Sequence, residues 1–299
     1  MTDSQPPQSS EKKKLLENSV MGSMAVPVAI VLVGALIIFG VTKMVSTDRS
    51  YKDLVREMQS KTFGNRWVAA YELSKLISAK QIPSEEIPWL IENLSDIYDS
   101  SKDSRTKDFI VASLGALEHP KALNLLDKVV ATSEKKMEGD AHFYALAALG
   151  NYSKDIKFDW DKVITFLDSD DEGLQQAAIL ALANHRVPQA QSRLEKFLNH
   201  ETLGLRYSAA MGLIYYKSQK ALPELRRILL RSPPQMKKGE RAETAFGPND
   251  LQALRLNILH VLRSEKWTAL NDVLRRLTKN EANKKLALRS QEILNQLKK

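Results

Sequence analysis

Between Asn18 and Thr42 the chain runs for 25 residues without a charge, and Val26 to Val41 is almost wholly aliphatic. A helix of about 20 such residues, rising about 1.5 Å each, crosses the hydrocarbon core of a bilayer. A core helix of that length would keep a polar stripe, and none interrupts this one. The exit, Val41-Thr42-Lys43-Met44-Val45, lacks the small residues of a signal-peptide cleavage site. The pattern therefore predicts a retained transmembrane helix over residues 18–45, in which Pro27 introduces a kink at most. Residues 1–17 are polar, rich in Pro, Ser and Gln, and include Lys12, Lys13 and Lys14. They read as a disordered tail.

From about residue 50 the period changes. Ala-rich amphipathic helices recur at Arg66–Leu73, Phe109–Gly115, Tyr144–Gly150, Ala177–Ala183, Arg206–Leu213 and Arg255–Leu259. Their reference leucines, Leu73, Leu114, Leu149, Leu182 and Leu213, stand 41, 35, 33 and 31 residues apart, a period that suits a two-helix unit. Between them lie segments richer in Leu, Ile and Val that often open near a proline, as at Pro88 and Pro223. Proline suits a first helical turn, where its missing N–H costs nothing. Acidic connectors such as Asp168–Glu172 put carboxylates at helix starts, which the helix dipole favours. Small Ala and Gly residues are expected to let the bulky Leu/Ile helix approach closely. Each pair leaves an apolar face that only the next pair covers. Seven pairs fit between Tyr51 and Leu297.

These residues resemble the HEAT family, in particular the short bacterial HEAT-like repeats also found in phycobilin lyases. The family unit is a leucine-rich helix, an Asp-containing turn and a helix of Val-Arg-x-x-Ala-Ala-x-x-Leu character. Arg66, Arg206 and Arg255 stand three residues before Ala69, Ala209 and Ile258, as the motif's structural Arg does. Lys107, His142 and Gln175 take that place approximately in other units. The resemblance covers residues 50–299. It implies an all-α fold, an α-solenoid of about seven HEAT-like helix pairs, which follows the one transmembrane helix that the apolar run predicts. It specifies fold far better than function, because helical arrays serve many tasks.

One segment departs from the array. Residues 232–248 hold Pro233, Pro234, Gly239, Gly247 and Pro248 and predict a long loop insertion, either functional or a neutral insertion. Charge is uneven as well. The net charge is +8, yet residues 202–299 carry 20 Lys and Arg against 8 Asp and Glu, a balance of +12. Arg226, Arg227, Arg231, Lys237, Lys238, Arg241, Arg275 and Arg276 are the candidate partner-binding residues, facing an acidic protein. The plain alternative is a solvated basic face. Phosphate binding by the same residues would make the chain a nucleic-acid-binding repeat protein, which an anchored chain permits only on the cytoplasmic side.

Catalytic chemistry finds little support. The absence of cysteine removes disulfides, thiolate metal sites and thiol nucleophiles. None of His119, His142, His185, His200 and His260 pairs with another at helical spacing, so they read as surface histidines rather than metal ligands. No phosphate-binding glycine motif and no nucleophile elbow occur. A lyase activity would follow from family resemblance alone, and those relatives normally lack an anchor. The expectation is a non-enzymatic scaffold, without cofactor or metal, that binds proteins and is held in the bilayer by residues 18–45. A short basic tail before an apolar helix resembles an uncleaved signal anchor. That arrangement puts a single-pass chain in a bacterial inner membrane with its solenoid on the periplasmic side.

Overall fold

The computed structural model describes residues 49–60, 66–134, 139–153, 155–230 and 248–297. The tail 1–17, the expected transmembrane helix 18–45 and loop residues 232–247 lie outside the described residues. Among the described residues no helix is long and apolar enough to cross a membrane.

Fourteen α-helices and no strand are present among the described residues, arranged as seven consecutive pairs. Unit 1 is α1 (Tyr51–Gln59) and α2 (Arg66–Ser78); unit 2 is α3 (Ile87–Ser100) and α4 (Ser104–Leu117). Unit 3 is α5 (Leu123–Ala131) and α6 (Ala141–Asn151), and unit 4 is α7 (Trp160–Thr165) and α8 (Glu172–Asn184). Unit 5 is α9 (Gln191–Phe197) and α10 (Leu203–Gly212), unit 6 is α11 (Leu222–Leu229) and α12 (Pro248–Ser264), and unit 7 is α13 (Asn271–Asn280) and α14 (Lys284–Gln296). Pro248, which the sequence reading assigned to the loop insertion, is instead the first residue of α12, where proline fits.

Local chemistry explains the helix boundaries. Ser50 and Asp53 form a reciprocal capping box before α1. The Asp171 carboxylate accepts the backbone N–H groups of Gly173 at 2.7 Å and Leu174 at 3.1 Å, opening α8. Asn283 does the same for α14. At the far ends, Glu118, Arg186, Lys217 and Lys266 take left-handed backbone conformations, each four residues after Leu114, Leu182, Leu213 or Leu262. At three of them the following amide bonds back to that leucine's carbonyl, as Val187 does to Leu182 at 3.0 Å. The chain thereby turns at the same point in unit after unit.

The even-numbered, Ala-rich helices form one row and the odd-numbered, Leu-rich helices form the other. Within the Ala-rich row α2 packs on α4, α4 on α6, α6 on α8, α8 on α10, and α12 on α14. One continuous apolar core runs between the rows from Leu54 to Leu294. The small residues act differently from the sequence expectation. They bring Ala-rich helices of successive units together, rather than mainly seating the Leu-rich helix. A Cβ on Gly115 of α4 would lie 2.4 Å from the Cβ of Ala148 in α6, and one on Gly150 would lie 3.3 Å from the Cα of Ala181 in α8.

Those two distances generate a graded prediction. Gly→Ala inside a helix gains up to about 1 kcal/mol of propensity, while a core overlap costs about 1–3 kcal/mol. Gly115→Ala is expected to lower stability, because a 2.4 Å approach has no room for a methyl group. Gly150→Ala, at 3.3 Å, should be close to neutral. Thermal melts of the two single variants beside the parent check the order, and equal melting of all three would refute the packing assignment.

Candidate functional site

The motif arginines serve helix ends. The last carbonyls of an α-helix have no partner inside it, and in this array the companion helix supplies one. Arg66 donates from Nε and Nη2 to the Ser60 carbonyl beyond α1 at 2.8 and 2.5 Å. Arg206 donates to His200 and Glu201 carbonyls after α9 at 2.9 and 3.1 Å. Arg255, fully buried, donates twice to the Leu229 carbonyl of α11 at 3.0 and 2.6 Å and pairs with Glu281. In unit 3 His142 Nε2 bonds the Thr132 carbonyl at 2.8 Å, and in unit 4 Gln175 reaches the Leu167 carbonyl at 3.3 Å. His142 is thus a buried structural side chain, which corrects its reading as a surface histidine. Lys107 does not cap a helix in this way; its ammonium lies 5.2 Å from the Tyr98 ring centroid.

A second set of contacts ties each Ala-rich helix to the one before it. The Tyr152 hydroxyl donates to the His119 carbonyl at 3.2 Å beyond α4. His185 Nε2 bonds the Leu149 carbonyl of α6 at 2.7 Å, and the Tyr216 hydroxyl donates to Leu182 and Val187 carbonyls at 3.0 and 2.9 Å. Tyr152, His185 and Tyr216 each stand three residues after their unit's reference leucine. Burial raises the pKa of both tyrosines far above the usual phenol value, so they remain donors throughout the physiological range. His185 is half-buried, a further departure from the surface reading.

The exposed face of the Ala-rich row carries a groove of about 150 Å³ across four units. Ala147 and Asn151 of α6, Leu180 and Asn184 of α8, Met211 and Tyr215 around the end of α10 and Val261 of α12 contribute to its walls, and no lining residue is charged. Asn151, Asn184 and Tyr215 each fall two residues after a reference leucine, a recurrence present in the sequence but not singled out there. At the edge of the groove Arg186, after α8, pairs with Glu265, after α12. That contact skips unit 5 entirely. The Tyr215 phenol is raised by burial, then by the Glu265 charge, with Arg186 opposing.

On the Leu-rich row, every junction between successive units carries an ion pair. Lys52 meets Glu86 at 2.9 Å, Lys121 meets Glu92 at 2.8 Å, and Lys162 meets Asp127 at 2.6 Å. Arg193 meets Asp168, Lys220 meets Glu195 at 2.6 Å, and Arg226 meets Asp272. Arg226 therefore spends its guanidinium on holding α11 to α13, and its hydrogen bond, then its charge, keeps the Asp272 carboxyl below the usual carboxylate range. Arg227 pairs with the buried Glu224. Arg275 and Arg276 are exposed on α13 and form no ion pair among the described residues. Arg231, Lys237, Lys238 and Arg241 lie outside the described residues.

Other titratable groups do not assemble into a reacting set. Among the described residues no group of three His, Asp or Glu side chains is placed to hold a metal ion. Asp108 is the most perturbed carboxyl, pushed up to about 6 by burial first. The Asp140 backbone N–H, donating at 3.0 Å, opposes this, and the charges of Asp140 and Asp103 add to it.

Paired helices with recurrent carbonyl caps, stacked through small residues, define a helical-repeat protein. A family model of HEAT repeats matches residues 161–243, spanning α7 to α11. No curated protein matches the sequence. Among solved structures, the complex of CpcE and CpcF of phycocyanin lyase from Nostoc sp. PCC7120 is similar at a TM-score of 0.56 and 15% identity, covering 86% of this chain and 99% of that one. An engineered protein aligns at a TM-score of 0.41 and 16% identity, covering 94% and 72%. Human deoxyhypusine hydroxylase aligns at 0.32 and 14%, covering 93% and 98%. At 15% identity the likeness to the lyase complex is one of fold alone.

Two predictions follow from the buried charges. Arg255→Met leaves Glu281 buried beside an apolar chain and strips the Leu229 carbonyl of its donor, so it should cost about 3–5 kcal/mol. Adding Glu281→Leu should recover part of that loss in denaturant melts; no recovery would mean that the carbonyl cap alone matters. Asp108 has its folded pKa raised above its ordinary value of 3.8. The folded state therefore binds more protons than the unfolded one between about pH 4 and 6, and stability falls as pH rises through that window. Asp108→Asn keeps the acceptor for Asp140 N–H. With allowance for solvent screening it should stabilise the protein by about 1 kcal/mol at pH 7.5 and not at pH 3.5. Parallel melting curves for parent and variant would contradict the assignment.

Proposed function

We propose that this chain is a membrane-anchored helical-repeat scaffold that binds other proteins and is not an enzyme. One observation carries the reading. The strongest polar groups of the array are committed to helix ends and unit junctions, while an uncharged groove spanning α6, α8, α10 and α12 stays open on the Ala-rich face. Rigid helices that line an uncharged groove with apolar side chains and the amides of Asn151 and Asn184 suit recognition of a polypeptide better than turnover of a small molecule. The apolar run Val26–Val41 supports attachment to a bilayer. The basic tail before it supports a periplasmic array in a bacterial inner membrane.

Crosslinking in native membranes tests the binding role. A photoreactive residue replacing Leu180 or Met211 in the full chain is expected to give discrete protein adducts. The same residue at Lys196, exposed on α9, should not. Equal labelling from both faces, or none from the groove, would reject the reading. Deleting residues 1–48 should release the protein into the soluble fraction on alkaline extraction, and a reporter fused after Lys299 reads the orientation.

A further inference from the structure

Unit 7 carries basic side chains that the ion pairs of the Leu-rich row do not use. Each of the six junctions before it brings a Lys or Arg of one unit against an Asp or Glu of the next or previous one. Asp272 uses its carboxylate on Arg226, which faces back toward unit 6. The cations that follow on the same hairpin have no such partner. Arg275, Arg276 and Lys279 of α13 and Lys284 and Lys285 of α14 are exposed, and none forms an ion pair among the described residues.

Chain geometry groups them. The short turn between Asn280 and Lys284 sets the end of α13 beside the start of α14. Arg275 and Arg276 stand one helical turn before Lys279, and Leu288 stands one turn after Lys284. Leu288 is 66% exposed, and the only other large apolar side chain described as exposed is Tyr71 at 41%. Leu288 thus adds one apolar contact point to a hairpin whose unpaired charged groups are cations, with Lys284 and Lys285 one turn before it and the Arg289–Glu292 pair beside it.

We infer that the α13–α14 hairpin is a docking surface for an acidic amphipathic helix of a partner protein, whose carboxylates pair with the exposed cations of unit 7. The inference rests on the protein-scaffold reading but names a different surface from the groove. The occupant follows from charge complementarity. Six junctions within this chain already join helices by the pairing of ammonium or guanidinium with carboxylate, and the free groups of unit 7 are all of one sign. A helix with glutamates on one face and leucines on the other would meet both the cations and Leu288.

The test uses the full chain in nanodiscs of neutral phosphatidylcholine. The probe is a synthetic fluorescent peptide with one glutamate face and one leucine face. A single-stranded DNA oligonucleotide of equal charge and phosphatidylglycerol vesicles are titrated in parallel. The peptide is expected to bind with an affinity that falls as salt rises. Arg275→Glu/Arg276→Glu/Lys279→Glu should weaken it about tenfold or more, while lysine at positions 275 and 276 preserves it. Leu288→Asp should weaken it several-fold, and a peptide with the same residues scrambled should bind less well than the amphipathic one. Arg275→Gln/Arg276→Gln gives a second reading of the same surface should the triple reversal unfold. Peptide affinity unchanged by these substitutions would overturn the inference, as would tighter binding of the oligonucleotide or the vesicles. Groove adducts at Leu180 and Met211 are scored separately, so failure here leaves the scaffold reading standing, and the reverse.

Discussion

A helix ends in carbonyls that nothing inside it can satisfy, and this fold is organised around where those carbonyls find donors. A single long helix would leave one such end; fourteen short ones leave many. Within five of the seven units the Leu-rich helix is closed by a side chain from its companion: Arg66, His142, Gln175, Arg206 or Arg255. Between units the Ala-rich helix is closed by Tyr152, His185 or Tyr216 of the next. Each carbonyl left unpaired in the core would cost about 1–3 kcal/mol. Register follows from this requirement, because a helix that slid by one residue would lose its donor.

The requirement also explains why so little polar chemistry is left over. A guanidinium locked by two hydrogen bonds onto one backbone carbonyl and paired with a buried carboxylate, as in Arg255, has no freedom to serve a substrate. Arg226 shows the same economy on the surface, where it bridges α11 to Asp272. What remains outside this structural use is the uncharged groove and the cationic hairpin. Recognition is therefore read from surfaces that the fold did not consume.

Much of this was legible in the sequence, and the limits are instructive. Seven pairs could be counted because the Ala-rich and Leu-rich segments alternate with a steady period, and Arg66, Arg206 and Arg255, three residues before Ala69, Ala209 and Ile258, marked the Ala-rich helices. His142 and Gln175 were placed there only approximately, since their capping role depends on carbonyls ten and eight residues upstream. The pairing of Arg226 with a residue 46 positions away left no local trace, so its charge looked free. Pro248 was read as loop because proline marks both loops and first helical turns. The groove was missed because alanine, leucine and methionine at helical spacing look the same whether they face the core or an open channel.

The pairing of Arg186 with Glu265 has a consequence for how the array comes apart. A solenoid whose units touch only their neighbours can open one unit at a time, since each break exposes two interfaces and no more. Here unit 4 is fastened to the end of α12 in unit 6, and α10 between them is buried from Leu203 to Ala210. Loosening unit 5 therefore also strains the Arg186–Glu265 pair, which couples units 4 to 6 more closely than contacts between neighbours alone would.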